Sequence, residues 1–187
     1  VVICAGHLGE MIQDVVKNGR QFDLKIEYSF DGDRLLGTGG AIKKALKLLG
    51  KYFFVQYGDS YLPCNYEEVE AAFRDSGQMG LMTVFRNDGA WDTSNVEFRN
   101  GRILTYDKQL LSPRMRHIDY GLGIFQREAF DVIPDEATYD LAQFYQHLLE
   151  KRELAAFEVK QRFYEIGSFG GLEEFKRYTL SEGRRAK

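Results

Sequence analysis

Segments typical of strands alternate with segments typical of helices along the first half of the sequence, and this alternation restricts the fold most. Residues 1–5 and 52–56 are apolar runs of the length of buried strands, and residues 24–28 alternate between apolar and polar side chains. Residues 8–17 and 41–49 carry apolar side chains at helical spacing. Strands that alternate with helices are typical of a parallel sheet covered by helices.

The second half of the sequence adds antiparallel strands. Asn100-Gly101 stands between two alternating segments, which predicts a hairpin with a tight turn. The other predicted elements are helices over residues 67–75, 139–151 and 171–180 and strands over residues 79–85, 118–125 and 156–159. Together they predict an α/β fold, a three-layer α/β/α Rossmann-like sandwich with a mixed, mainly parallel sheet. We expect one domain over residues 1–180 and a frayed polar tail over residues 181–187.

Composition excludes several classes of function. Hydrophobic residues make up 44% and charged residues 28%, as in an ordinary globular protein. A net charge of −3 gives no basic surface for nucleic acid. No apolar run approaches the roughly 20 residues of a membrane span, and no leader segment is visible. We therefore expect a cytoplasmic protein that binds neither nucleic acid nor membranes, with Cys4 and Cys64 as reduced thiols.

A glycine-rich run precedes the predicted helix over residues 41–49. Gly37-Thr38-Gly39-Gly40 could direct backbone N–H groups and the positive end of that helix toward a ligand, and would let a flat base approach closely. The run does not match G-x-G-x-x-G, because Ile42 occupies the last glycine position, and it lacks the Lys-Ser/Thr of the phosphate-binding loop. A tight strand-to-helix turn explains the run equally well.

A lone carboxylate, Asp59, follows the buried strand over residues 52–56. Carboxyl ends of parallel strands open into the crevice where α/β proteins bind ligands. Magnesium takes one or two protein carboxylates together with phosphate oxygens and water, so a second acidic residue would complete the protein's share of the site. Glu165 is the candidate, since it also ends a strand and is followed by Gly167. The alternative for Asp59 is a turn cap that accepts backbone hydrogen bonds.

A second acidic motif, Asp31-Gly32-Asp33, matches the D-x-D pattern of nucleotide-sugar glycosyltransferases. Those enzymes also bind a divalent metal. Asp-Gly is common in turns, and the motif lies in a predicted loop, so we interpret it as a turn. Glycosyl transfer nevertheless stays the main rival enzymatic function.

Several short segments occur in the order found in sugar-1-phosphate nucleotidyltransferases. They are Leu36-Gly37-Thr38-Gly39-Gly40-Ala41, Tyr57-Gly58-Asp59-Ser60, Asp107-Lys108, Asp119-Tyr120-Gly121 and Tyr164-Glu165-Ile166-Gly167-Ser168. The chain closely resembles this family, especially the bacterial heptose- and hexose-phosphate guanylyl-, uridylyl- and thymidylyltransferases. The resemblance runs from Val1 to Tyr178. It implies transfer of a nucleoside monophosphate from a nucleoside triphosphate to a sugar 1-phosphate, with Mg²⁺.

The resemblance also implies a role for individual residues. Asp59 and Glu165 would hold Mg²⁺, with Glu165 where the family usually has aspartate, and both would be catalytic together with Lys108. Gly37, Thr38 and Gly39 would line the pocket for the nucleobase and ribose. The sugar phosphate would be contacted by Asn95, Lys108, Tyr120 and Gly121, with Asp107 beside them where many relatives carry glutamate.

The resemblance further implies a missing front end. Relatives begin with a strand and a G-G-x-G-T-R-L-like loop that grips the triphosphate, and neither is found in this sequence. The sequence opens instead on residues 1–5, interpreted as a fully buried strand. We therefore expect a fragment with little activity alone, whose unpaired strand edges favour a homo-oligomer. A non-catalytic nucleotide-binding or regulatory module is the remaining alternative.

Overall fold

The computed structural model describes the backbone of residues 1–185 and the side chains of residues 1–181. The strands are β1 Val2–Ala5, β2 Glu27–Phe30, β3 Tyr52–Gln56, β4 Ser60–Tyr61, β5 Gly80–Arg86, β6 Val96–Arg99, β7 Arg102–Tyr106, β8 His117–Gln126, β9 Leu154–Val159 and β10 Tyr164–Glu165. The helices are α1 Gly9–Val16, α2 Gly37–Ala45, α3 Tyr66–Ser76, α4 Leu141–Lys151 and α5 Phe169–Arg185. The predicted mixed α/β fold is confirmed.

Contacts within the chain divide it into two compact units. The first unit contains Val1–Phe53 and Phe125–Arg152, and the second contains Phe54–Ile124 and the chain from Glu153 onward. The boundary therefore falls inside β3 and β8. Within residues 1–185, no helix is both long enough and apolar enough to cross a membrane.

The opening strand and helix of the first unit are less buried than the sequence predicts. β1 pairs in parallel with β2 in a two-stranded sheet, and of β1 only Ala5 is buried. Leu8, just before α1, is exposed as well, and so are Met11, Ile12 and Val15 within the helix. The expectation of a fully buried first strand is wrong, because a strand in a two-stranded sheet has few neighbours to cover it.

The second strand begins later than predicted. Residues 24–26 were expected to belong to it, but the N–H groups of Leu24 and Ile26 donate to the carbonyls of Gly19 and Asn18. These bonds tie the segment to the turn after α1, so β2 starts only at Glu27.

The glycine-rich run forms the first turn of α2 rather than a turn before it. Its N–H groups at Gly39 and Gly40 donate to the carbonyl of Tyr139 at 2.8 Å and 3.1 Å. A Cβ added at Gly40 would lie 2.3 Å from the carbonyl oxygen of Ala137, closer than any real contact. Glycine is required because the helix approaches the backbone that leads into α4. α2 ends at Ala45, short of the predicted residue 49, and a 3-10 turn follows.

The second unit contains a mixed sheet with the strand order β7-β6-β8-β5-β9, and β3 pairs with β8. β5 and β9 are parallel, whereas β6 is antiparallel to β7 and to β8. The predicted hairpin between β6 and β7 is confirmed, because Asn100 and Gly101 both have positive φ, at 51° and 75°. A tight two-residue hairpin turn requires positive φ at both of its central residues.

Helices α3 and α5 also belong to the second unit. Asn65 caps α3 by accepting from the N–H groups of Glu67 and Glu68. α5 continues to Arg185, so the tail predicted from residue 181 is helical over its first five residues. The rest of that predicted tail, Ala186 and Lys187, lies outside the described residues.

We expect Gly40→Ala to lower the free energy of unfolding by about 1–3 kcal/mol, the usual cost of overpacking. The added methyl group has no room beside Ala137, and the backbone on that side cannot rotate away as a side chain could. Urea unfolding followed by circular dichroism measures the effect. Gly170→Ala is the matched control, since a Cβ there meets nothing within 4 Å. Equal stability of the two variants would contradict close packing at Gly40.

Candidate functional site

A two-residue antiparallel ladder brings Asp59 and Glu165 together. β4 and β10 pair with Ser60 opposite Glu165, and the N–H of Ile166 donates to the carbonyl of Asp59 at 2.7 Å. Both acidic residues thus lie at the same edge of this ladder, although they come from distant parts of the sequence.

Both acidic side chains lie close to Gly167. A Cβ built on Gly167 would lie 2.9 Å from Glu165 Oε1 and 3.6 Å from Asp59 Oδ2. Carboxylate oxygen atoms are ligands that Mg²⁺ prefers, and Mg²⁺ usually completes its shell with water and phosphate. Within the described residues no cluster of three or more acidic, histidine or cysteine side chains could hold a metal. The assignment of Asp59 and Glu165 to Mg²⁺ stays a prediction.

Neighbouring hydroxyl groups orient both carboxylates. Ser168 Oγ donates to Glu165 Oε2 at 2.6 Å, and Ser60 Oγ donates to Asp59 Oδ1 at 3.2 Å. Gly171 lies close to Glu165, since a Cβ built on Gly171 would lie 2.4 Å from Glu165 Oε2. In each carboxylate one oxygen accepts from a serine hydroxyl, while the other oxygen lies near Gly167.

A polar cleft of about 290 Å³ lies in the same unit. It is lined by Tyr57, Asp92, Thr93, Asn95, Lys108, Leu111, Ile118 and Asp119. Lys108 is the only cationic side chain of this lining, and its Nζ lies 5.5 Å from the centroid of the Tyr57 ring. Asp59 follows Tyr57 by two residues, so the chain passes directly from the cleft to the carboxylate pair.

Hydrogen bonds fix the acidic side of the cleft. Asp119 accepts from the N–H of Gly121 at 3.0 Å and from the hydroxyl of Tyr106 at 3.2 Å. Burial raises the pKa of Asp119, while the Gly121 N–H and the charge of Lys108 oppose that shift. Asn95 Oδ1 in turn accepts from the N–H of Asp119 at 3.0 Å. Two polar side chains of the cleft are thus held in fixed orientations.

Two known enzymes are similar to this chain in sequence. The chain is 26% identical over 157 residues to a UTP–glucose-1-phosphate uridylyltransferase of Synechocystis, covering 75% of this chain and 40% of that protein. It is 22% identical over 168 residues to a D-glycero-alpha-D-manno-heptose 1-phosphate guanylyltransferase of Campylobacter jejuni, covering 89% and 73%. No family model matches the chain.

A solved structure shares the fold. The structure of HddC from Yersinia pseudotuberculosis, complexed with GMP-PN, superposes with a TM-score of 0.74 at 20% identity, covering 92% of this chain and 75% of that one. The chain is therefore similar in sequence to two sugar-1-phosphate nucleotidyltransferases and similar in fold to this solved structure. The predicted Rossmann-like α/β fold is confirmed by this likeness. The chain spans two fifths of the length of the cyanobacterial uridylyltransferase.

Only some of the residues predicted to contact the sugar phosphate line the cleft. Asn95 and Lys108 line the cleft. Asp107 accepts from the N–H groups of Leu110 and Gln109, which lower its pKa, and so shapes the turn that carries Lys108. Their contacts with substrate stay predictions.

Two further residues of that set lie on β8. Gly121, with a φ of 92°, holds Asp119 through its N–H group. Tyr120 points into the core, only 2% exposed, with ring contacts to Phe85 and Phe163. Its burial does not support a direct contact with substrate.

The remaining predicted residues lie in the first unit. Thr38 Oγ1 accepts from the N–H of Leu141 at the start of α4, while the N–H of Gly39 is bonded to Tyr139. The assignment of Gly37, Thr38 and Gly39 to a nucleobase pocket stays a prediction.

The D-x-D motif forms the turn that the sequence predicted. Asp31 is buried, and its Oδ2 accepts from the N–H of Leu36 at 3.0 Å. Gly32 has a φ of 91°, which favours glycine.

Sequence reasoning missed the loop that supplies Asp92 and Thr93 to the cleft. Buried Asn87 organises this loop, because its Nδ2 donates to the carbonyl of Asp92 at 2.6 Å and its Oδ1 accepts from the N–H of Trp91 at 3.2 Å. The only signal was a loop rich in Asp, Gly, Ser and Thr just before Asn95.

A histidine at the start of β8 supports the strand that borders the cleft. His117 Nε2 lies 3.3 Å from Glu158 Oε1, its ring meets Phe98 edge-on, and its carbonyl accepts from the N–H of Asn95. Burial lowers the pKa of His117, and the bond to Glu158 only partly offsets that shift.

We expect acid to destabilise the chain through His117. The unfolded histidine binds a proton near pH 6.5 and the folded one only at lower pH, so its contribution is complete above pH 6.5 and declines below it. Urea midpoints at about pH 7.5 and about pH 5.5 measure the decline. His117→Gln keeps a polar group beside Glu158 and should show a smaller decline. The same decline in both proteins would refute the assignment.

Proposed function

We propose that this chain is the sugar-phosphate and metal-binding part of a nucleotidyltransferase. The reaction moves a nucleoside monophosphate from a nucleoside triphosphate to a sugar 1-phosphate and gives a nucleotide sugar and pyrophosphate. The β4–β10 ladder, which places Asp59 and Glu165 beside Gly167 and two residues along the chain from a polar cleft, carries this proposal. The sequence likeness to enzymes named for uridylyl and guanylyl transfer supports it.

The cleft has the groups that a sugar phosphate requires. Lys108 offers the positive charge for the phosphate, since it is the one cation of the lining. The oxygen atoms of Asp92 and Asp119 can accept hydrogen bonds from sugar hydroxyl groups, and Thr93 can donate or accept. An apolar ligand would leave these groups without partners, at a cost in binding free energy.

The transfer needs few acid–base groups. A phosphate oxygen of the sugar 1-phosphate is already anionic near neutral pH, so it attacks the α-phosphorus without a general base. A new P–O bond forms to the sugar phosphate, and the bond to the β-phosphate oxygen breaks, releasing pyrophosphate. Lys108 holds the attacking phosphate and offsets its charge. Asp59 and Glu165 would hold Mg²⁺, which would supply positive charge at the transferred phosphate.

The nucleotide itself is assigned by likeness alone. Gly37, Thr38 and Gly39 are the proposed contacts of the base and ribose. GTP and UTP are the first triphosphates to test, because the relatives are named for guanylyl and uridylyl transfer. A cytoplasmic location and a homo-oligomer belong to the same proposal.

One experiment separates this function from its rivals. The chain is incubated with Mg²⁺, one of four nucleoside triphosphates and a panel of sugar 1-phosphates, and pyrophosphate is measured. A parallel reaction offers a nucleotide sugar and an acceptor sugar. Pyrophosphate in the first reaction supports the proposal, and glycosyl transfer in the second contradicts it.

Calorimetry completes the comparison. Binding of a triphosphate and a sugar 1-phosphate without pyrophosphate release would favour the non-catalytic binding module, or the predicted low activity of this chain alone. Absence of binding by every sugar 1-phosphate would refute the assignment of the cleft.

We expect Asp59→Asn and Glu165→Gln each to weaken Mn²⁺ binding by about tenfold or more, because each removes one of two protein carboxylates from the cation. Electron paramagnetic resonance of free Mn²⁺ measures the affinity without requiring catalysis. Glu67→Gln, a change to an exposed carboxylate on α3, is the control. Unchanged Mn²⁺ affinity in both site variants would exclude the metal site.

We expect Lys108→Ala to weaken the binding of a sugar 1-phosphate by about tenfold, the typical range for loss of a charged hydrogen bond. Triphosphate binding should change much less, because Lys108 lines the proposed sugar-phosphate cleft. Calorimetry with each ligand tests this, with Lys47→Ala as the surface control. Equal weakening for both ligands would reassign Lys108.

A further inference from the structure

Arg162, just before β10, stacks on two aromatic rings. Its Cζ lies 3.4 Å from the centroid of Trp91 and 4.5 Å from the centroid of Tyr164. The arginine side chain is only 21% exposed. A guanidinium plane between aromatic faces gains cation–π and stacking contacts that an ammonium group cannot reproduce.

The donors of the same guanidinium are also engaged. Nη1 and Nη2 donate to the two carboxylate oxygens of Glu174, both at 2.9 Å, and Nε donates to the carbonyl of Phe163 at 3.1 Å. A paired bond of this kind fixes the plane of the guanidinium as well as its position. The hydrogen bonds from Arg162, together with its charge, lower the pKa of Glu174, which keeps the pair ionised.

The partners of Arg162 belong to the two functional groups of the unit. Trp91 directly precedes Asp92 and Thr93, which line the cleft, and Tyr164 directly precedes Glu165 of the carboxylate pair. Asn87 holds the other side of the Trp91 loop through three hydrogen bonds. Arg162 therefore connects the loop over residues 88–94 to the strand that carries Glu165.

We propose that Arg162 is a positioning residue that fixes the loop over residues 88–94 for sugar-phosphate binding. This inference rests on the proposed function. Trp91 is half-exposed, so its contact with Arg162 adds little to the stability of the fold, whereas a misplacement of about 1 Å can cost a hundredfold in rate. Loss of Arg162 should thus affect binding in the cleft more than it affects folding.

The single tryptophan of the chain makes the test direct, because Trp91 emission reports the stack without interference. Arg162→Lys keeps the positive charge but loses the paired hydrogen bonds to Glu174 and the planar group that stacks on Trp91. We expect its Trp91 to become more accessible to acrylamide and a sugar 1-phosphate to bind about tenfold more weakly. Mn²⁺ affinity and the urea midpoint should change little, which a merely structural residue would not allow.

Two further variants sharpen the result. Glu174→Gln leaves the contact between Arg162 and Trp91 but weakens the paired hydrogen bonds to Arg162. It should therefore raise acrylamide access to Trp91 and weaken sugar 1-phosphate binding less than Arg162→Lys does. Arg74→Lys alters an arginine on α3 that pairs with Glu70 by a salt bridge, and it should behave like the wild type.

The outcomes separate the two proposals. If the wild type binds a sugar 1-phosphate and Arg162→Lys binds it equally well, the role of Arg162 is refuted while the proposed function stands. If Trp91 accessibility does not change, the role is refuted as well. If the wild type binds no sugar 1-phosphate at all, the proposed function fails first and the role of Arg162 in substrate binding fails with it.

Discussion

The ladder between β4 and β10 is the interaction on which the candidate site depends. Two paired residues make a ladder that is marginal by itself. Aromatic rings on both strands and on α5 reinforce it, since Tyr164 stacks on Tyr178 at 4.3 Å and Tyr61 contacts Phe175 at 4.7 Å. Each such pair contributes about 0.5–1.5 kcal/mol, so the cluster outweighs the few backbone bonds of the ladder. α5 thereby holds Asp59 and Glu165 together without contributing a ligand.

Glycine serves close packing in both units of the chain. Gly40 lets α2 touch the backbone before α4, and Gly171 lets the first turn of α5 touch Glu165. A glycine-rich run in a sequence indicates that some group comes close to the backbone, but it does not say which group. At Gly39 and Gly40 the described partner is the carbonyl of Tyr139, whereas the sequence pattern suggested a ligand.

Much of the fold could be predicted from local patterns, and the failures have a common cause. β3, the hairpin at Asn100-Gly101 and α3 follow from periodicity and turn chemistry, which depend on neighbours in sequence. The start of α2 and the exposure of α1 depend on what packs against them, and no local pattern contains that information. The same limit applies to the site: the strand-end carboxylate Asp59 was visible, but Trp91 and Arg162 meet only through tertiary structure.

The carboxylate pair and the cleft differ in their charge. The carboxylate pair concentrates negative charge and therefore suits a divalent cation, which demands hard oxygen ligands. The cleft combines one cation, Lys108, with Asp92 and Asp119, so a doubly charged phosphate would meet attraction from one side and repulsion from the other. Such a cleft favours a ligand with its phosphate toward Lys108 and its hydroxyl groups toward the carboxylates, and penalises the reverse orientation. Under the proposed function, this arrangement would select the direction in which a sugar phosphate lies, before any catalytic step.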